Sequence, residues 1–248
     1  MIAVIGGSSL TQLANLQVTR RKTVRTPYGK PSGPLIFGKI EGRAVVFLAR
    51  HGPNHTLPPH EVNYRANLWA LHAQKVKDVV SVATVGGIRV GLAPGTLVVP
   101  DQIIDYTHGR QSSYSGSRGK GVMHIDFTHP YCEALRKRLL GAAAAAGEAV
   151  VASGTYAATQ GPRLETAAEI NRLERDGADI VGMTGMPEAA LAREIGLCYA
   201  AIVVVVNHAA GRGASAQGIR LKDAEAITKR SMARVLNILD RLVARDGG

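Results

Sequence analysis

Aromatic side chains are scarce, at 4% of 248 residues with a single Trp, and no basic run interleaves with the few that occur. The pattern of a nucleic-acid module is therefore missing, and no nucleic-acid partner is expected. Cysteine is nearly absent too: Cys132 and Cys198 form no CxxC or metal-spaced pattern and fall where the sequence reads as a helix start and a buried strand. No disulfide framework is expected from them. No apolar run approaches the length needed to span a bilayer, and Met1-Ile2-Ala3-Val4-Ile5 enters a strand with no charged segment ahead of it. These features predict a cytoplasmic protein with no membrane partner. Acidic residues are also short, 19 against 30 Lys and Arg, for a net charge of +11. That balance favours anionic partners, phosphate-bearing small molecules among them, although the basic residues are scattered and most read as a solvated surface.

What is present is aliphatic: hydrophobic residues make up 46% of the chain, with no composition break to mark a linker. The reading is an α/β fold, a single domain over residues 1–248 built on a mixed β-sheet flanked by helices. Strands are predicted at Ala3 to Ile5, Leu35 to Ile40, Ala44 to Ala49, Val79 to Ala83, Thr96 to Val99, Ala149 to Ala152, Asp179 to Val181 and Tyr199 to Val206. Glu41-Gly42 is a hairpin turn, so part of the sheet is antiparallel and the rest largely parallel. Helices are predicted at Asn63 to Gln74, Pro130 to Ala146, Leu164 to Asp176, Pro187 to Ile195 and Lys222 to Ala244. The Ala142 to Ala146 run reads as a close-packed helix face, and Thr107 to Gly121, rich in Gly, Ser and Arg, as an exposed loop reaching an active site or another subunit.

Candidate anion-binding residues sit at strand ends. Gly6-Gly7-Ser8-Ser9 follows the first strand, where glycines expose backbone N–H groups and Ser8 adds a hydroxyl. Many strand-to-loop turns carry two glycines for conformational reasons alone. Arg50-His51 closes the strand ending at Ala49, where open α/β sheets bind ligands. Met183-Thr184 follows another strand and offers a hydroxyl for phosphate beside an apolar side chain for a sugar face. His51, His55 and His60 raise a metal reading, but the irregular proline-rich loop and the lack of a converging acid or Cys argue against it, and no metal is expected.

The segments Ile5-Gly6-Gly7-Ser8-Ser9-Leu10, Thr26-Pro27-Tyr28-Gly29-Lys30-Pro31-Ser32, Leu48-Ala49-Arg50-His51-Gly52 and Val62-Asn63-Tyr64-Arg65-Ala66-Asn67 resemble the methylthioadenosine phosphorylase branch of the trimeric purine nucleoside phosphorylase family. Gln102-Ile103-Ile104-Asp105, His124-Ile125, Gly161-Pro162-Arg163, Gly182-Met183-Thr184 and Pro187-Glu188 extend the similarity over nearly the whole chain. The resemblance implies a nucleoside phosphorylase-like fold, a homotrimer, and phosphorolysis of a purine nucleoside by inorganic phosphate as co-substrate, without metal or organic cofactor. It places phosphate on Ser8, Arg50, His51 and Thr184, and ribose on Met183. A phosphate-site threonine of the family falls on Ala83, with Thr84 beside it.

The base pocket departs from that branch. Adenine-specific members carry an aspartate where this chain has Asn207, a second where it has Ala209, and a serine where it has Glu165; 6-oxopurine-specific members carry the Glu and the Asn. A carboxylate only accepts hydrogen bonds and suits the N1–H of hypoxanthine or guanine, while an Asn amide both donates and accepts and suits N7 and O6. Each residue also has a plain structural reading, Glu165 as a helix N-terminal carboxylate and Asn207 as a strand-end turn residue. Ile219 and Leu221 resemble the apolar residues around a methylthio group, and His124 is implied to border that pocket from a neighbouring subunit. The expected substrate-contacting set is Met183, Asn207, His208, Ala209, Glu165, Leu164, Ile219, Leu221 and His124, with Asn207 and Glu165 in the catalytic roles. The expected reaction is phosphorolysis of S-methyl-5′-thioinosine to hypoxanthine and 5-methylthioribose 1-phosphate. The alternatives are phosphorolysis of inosine and guanosine, phosphorolysis of methylthioadenosine, and, in a different class, salt-sensitive nucleic-acid binding by a basic protein.

Overall fold

The computed structural model describes residues 1–7, 10, 13–116 and 121–245. Among them are eleven strands: β1 (Ile2–Gly6), β2 (Gln17–Lys22), β3 (Leu35–Ile40), β4 (Arg43–Ala49), β5 (Asp78–Gly87), β6 (Leu97–Val98), β7 (Gln102–Asp105), β8 (Val150–Val151), β9 (Thr155–Ala158), β10 (Ile180–Gly182) and β11 (Cys198–His208). The helices are α1 (Tyr64–His72), α2 (Glu133–Ala145), α3 (Ala167–Arg175), α4 (Gly185–Glu194) and α5 (Leu221–Arg245). All eleven strands join one sheet, in the order β2-β3-β4-β1-β5-β10-β9-β7, with β11 also on β5 and β6 and β8 following beyond it.

The sheet is mixed, as the sequence predicts. β3 and β4 pair antiparallel across Glu41 and Gly42, both at positive φ, whereas β1 pairs parallel with β4 and β5, and β11 parallel with β5. Consecutive residues of the central strands are buried on opposite faces, which is why these strands read as unbroken apolar runs rather than alternating ones. Ala3 and Ile5 join the core beneath α1 and α4, while Ile2 and Val4 join the core beneath α2 and α5. Ala142 and Ala143 are buried in that second core, where small side chains let α2 approach α5.

Three strands escaped the sequence reading for physical reasons. β2 is exposed at every residue and carries Arg20, Arg21 and Lys22, the charged character of a protected sheet edge and the opposite of an apolar run. β7 sets two Ile between Gln102 and Asp105, and β9 reads Thr155-Tyr156-Ala157-Ala158, so neither shows the Val-, Ile- or Leu-rich run that marks the others. The segment after β7 is also less exposed than expected, since Tyr114 is buried and its hydroxyl donates to the Arg65 carbonyl at 2.8 Å. The cysteines require a correction: Cys132, at the start of α2, and Cys198, the first residue of β11, form a disulfide with Cα atoms 5.2 Å apart. The two positions lie 66 residues apart in sequence, so their spacing carries no trace of the packing of α2 onto β11 that joins them. Among the described residues, no helix is long and apolar enough to cross a membrane.

Candidate active site

A cavity of about 500 Å³ opens where β1, β4, β5 and β11 end. Because these strands run parallel, their carboxyl ends gather the loops that follow them on one edge of the sheet. Gly7, Arg50, His51, Ala83, Thr84 and Asn207 enter the cavity wall in this way, and Met183 and Thr184 follow β10 into it. Leu164 and Glu165 arrive ahead of α3, and Ile219 and Leu221 at the entry to α5. Residues singled out in seven distant stretches of chain thus meet around one space. Ser8 lies outside the described residues.

At one end the wall is cationic but firmly anchored. Arg50 is fully buried, with Nε donating to Glu188 Oε2 at 2.7 Å and Nη2 to Glu188 Oε1 at 2.9 Å, a bidentate pair. Nη2 also donates to Ser81 Oγ at 2.7 Å and Nη1 to the Val82 carbonyl at 3.1 Å. These bonds engage four of the five guanidinium N–H groups, leaving one on Nη1 for the cavity. Burial opposes the charge and Glu188 more than restores it, so Arg50 titrates above its usual range. Gly7 must be glycine here, because a Cβ would lie 2.9 Å from Arg50 Nη1 and 2.7 Å from the Val82 carbonyl. His51 is held through Nδ1, 2.8 Å from the Leu57 carbonyl. A carbonyl only accepts, so Nδ1 carries the proton and Nε2 of the neutral ring is an acceptor. Burial, then the Arg50 charge, pushes the imidazole down to about 4. Thr184 precedes α4 without a side-chain capping bond and lines the cavity with its hydroxyl beside that of the buried Tyr156.

The opposite wall carries the base-reading candidates. Thr159 Oγ1 donates to Glu165 Oε1 at 2.7 Å, so one carboxylate oxygen is fixed from behind. Thr166 caps α3 with a reciprocal Thr166–Glu169 pair, which ends the loop just past Glu165 and sets its exit direction. Asn207 Nδ2 donates to the His208 carbonyl at 2.7 Å, orienting the amide with its remaining N–H and its oxygen unspent on that bond. Gly161 is at φ +60° and a Cβ there would lie 2.4 Å from Met183 Sδ, so glycine lets this loop lie directly on the methionine. Ala209 lines the cavity but His208 does not; its ring lies against Gly213. Val206 and Asn207 both line the cavity across an irregularity in the β5–β11 register, and His208 follows them as the last residue of β11.

The far end is apolar in part. Ile219 and Leu221 border it as expected, joined by Ala224, Glu225 and Thr228 of α5. The Thr228 hydroxyl donates to the Ala224 carbonyl at 2.7 Å and is occupied by its own helix. His124 is exposed and lines no part of this chain's cavity. A second cavity, of about 550 Å³ and lined by Tyr106, Gln160 and Arg172, lies behind Glu165, which borders both. No group of three or more His, Cys, Asp or Glu able to hold a metal ion occurs among the described residues.

Sequence reasoning missed Glu188, Thr159 and Arg110. Pro187-Glu188 served only as part of a motif, and nothing in the sequence joins Glu188 to an arginine 138 positions away. Thr159 sits six residues before Glu165, beyond the reach of any helix or strand periodicity.

A strand-end cavity lined by a buried guanidinium, a carboxylate and an amide is able to hold an anion beside a polar ring. A sequence profile of the phosphorylase superfamily matches residues 1–244, and the chain belongs to that superfamily. It is 52% identical to a protein named probable S-methyl-5′-thioinosine phosphorylase from Pseudomonas syringae pv. tomato, over 95% of this chain and 98% of the relative. It is 45% identical to a 6-oxopurine nucleoside phosphorylase of Pyrococcus furiosus, over 85% of this chain and 80% of that one. Among solved structures, methylthioadenosine phosphorylase of Schistosoma mansoni in complex with adenine superimposes with a TM-score of 0.94 at 34% identity, covering 98% of this chain and 90% of the other.

Proposed function

We propose that this chain is a pentosyltransferase that cleaves S-methyl-5′-thioinosine with inorganic phosphate, releasing hypoxanthine and 5-methylthioribose 1-phosphate. One observation carries the reading: Glu165 and Asn207 face the same cavity as Arg50, His51 and Thr184. Base and phosphate sites are then one reaction vessel. Glu165 accepts from N1–H and Asn207 bonds N7, where its hydrogen bond strengthens as the purine gains electron density. A phosphate oxygen bonds C1′ as the C1′–N9 bond breaks, and the purine leaves with the electron pair. Positioning and electrostatics supply the acceleration, with no cofactor required. The names of the relatives support the 6-oxopurine assignment. Family resemblance supports the homotrimer, His124 entering from a neighbour, and a cytoplasmic setting.

A second reading, cleavage of inosine and guanosine, is favoured by Glu225, a carboxylate on the α5 wall able to accept from a 5′-hydroxyl. Ile219 and Leu221 favour the thioether, which prefers an apolar wall by roughly 1 to 2 kcal/mol per methyl-sized group. Phosphate-dependent purine release from S-methyl-5′-thioinosine, methylthioadenosine and inosine decides. Release from the first alone supports both pockets, while preference for inosine overturns the 5′ assignment and preference for methylthioadenosine the base assignment. The double variant Glu165→Ser, Asn207→Asp is expected to shift preference toward 6-aminopurines, only in part because Ala209 is unchanged.

A further inference from the structure

Arg110 lies in the loop between β7 and α2 and has no part in the reaction as described above. We propose that Arg110 is a positioning residue that locks the base-reading loop to the sugar and phosphate loop, an inference that rests on the proposed phosphorolysis. Its guanidinium spends every N–H on oxygens of those two loops and of α1. Nε donates to Gln160 Oε1 at 3.1 Å, and Nη2 to the carbonyls of Gln160 at 2.7 Å and Thr159 at 3.3 Å. Nη1 donates to the carbonyls of Met183 at 2.8 Å and Met186 at 2.7 Å, with Tyr64 Oη at 3.3 Å. The plane also rests over the Tyr64 ring, 5.6 Å from its centroid.

Each anchored carbonyl stands next to a residue of the site. Thr159 bears the hydroxyl that holds Glu165. Met183 precedes Thr184 and faces Gly161, and Met186 lies two residues before Glu188, which carries Arg50. β9 and β10 fix where the two loops begin, and one planar fork beyond the strand ends ties the loop of Glu165 to the segment that carries Thr184 and leads to Glu188. Lysine has neither the five donors nor the planar geometry to reach both loops at once. Without the fork, four backbone carbonyls lose this donor and Gln160 Oε1 keeps only the His108 N–H at 3.1 Å. The ties left between the loops are then Thr159 N–H and Oγ1 to the Gly182 carbonyl, at 2.8 and 3.3 Å at the strand ends, and the contact of Gly161 with Met183. A shift of about 1 Å between reacting groups costs on the order of 100-fold in rate.

The test compares Arg110→Met and Arg110→Lys with the unaltered protein, using whichever of the three nucleosides the unaltered protein cleaves fastest. A wrong base or 5′ assignment then changes the substrate and leaves the test intact. Both variants are expected to lose about 100-fold in kcat at saturating nucleoside and phosphate, with melting still cooperative. Millimolar guanidinium ion is expected to return about tenfold of that loss to Arg110→Met and nothing to the unaltered protein. Activity of either variant within about threefold of the unaltered protein overturns the role. A loss that tracks a lowered melting temperature and ignores guanidinium shows a structural residue only. No phosphate-dependent cleavage of any nucleoside by the unaltered protein overturns the function and this role together.

Discussion

Nε of Arg50 lies 2.7 Å from Oε2 of Glu188, and neither side chain is exposed. The arginine at the anion end of the cavity is thus fastened to α4 from within the core. Replacing Glu188 with Gln leaves a buried charge without its counter-charge, with an expected loss of about 3 to 5 kcal/mol in urea unfolding. Phosphate should stabilise this variant more than the unaltered protein, because it supplies the missing negative charge. A loss below about 1 kcal/mol would show that the pair is not what holds Arg50.

Thr159→Val removes the hydroxyl behind Glu165 while preserving shape. The carboxylate then loses one bond worth about 1.5 to 3 kcal/mol, so kcat/KM for the preferred 6-oxopurine nucleoside should fall roughly 10- to 100-fold. The KM for phosphate should hold, since His51 and Thr184 lie at the other end. Equal changes in both would place Thr159 in general packing instead.

His51 gives a pH dependence with a definite sign. Its folded value of about 4 lies below the ordinary 6.5, so the unfolded chain takes up the proton first. Stability from this group is therefore full above about pH 6.5 and lost as pH falls toward about 4, by roughly 3 kcal/mol in all. Unfolding curves of the unaltered protein and His51→Gln should converge over that window, and bound phosphate should narrow the loss by favouring the charged ring. Parallel pH profiles would refute the assignment.

Peptide mapping without reductant should join the fragments containing Cys132 and Cys198. Closing a loop of 66 residues stabilises by about 4 kcal/mol on chain entropy alone, so Cys132→Ala should lower unfolding stability by about 2 to 4 kcal/mol. Complete alkylation of both thiols in unreduced, denatured protein would contradict the bond.

The parts of the molecule legible in sequence are those with strong local signals. β1, the β3–β4 hairpin and all five helices follow from apolar runs, Glu41-Gly42 and helical spacing. Glu165 and Asn207 stand out in the sequence because an acceptor-only carboxylate and an amide that both donates and accepts suit the N1–H and the N7 and O6 of a 6-oxopurine. β2 was hidden because its fitness as an edge lies in being charged and exposed. Arg110 was hidden because a Gly-, Ser- and Arg-rich stretch reads as solvent-facing, although this arginine turns inward to satisfy carbonyls that only the folded chain brings together.

Glu165 borders two cavities, so its side chain forms part of the wall between them in addition to the base-reading role proposed for it. Shortening it to serine thins the wall between them, and a purine bound as proposed would then meet more open space at its N1 edge. A switch of base preference at this position would therefore also change which substituents fit, admitting bulk at that edge that the carboxylate now turns away. Serine at this position alters hydrogen-bond identity and room together, whereas the near-isosteric Glu165→Gln alters the hydrogen bond alone.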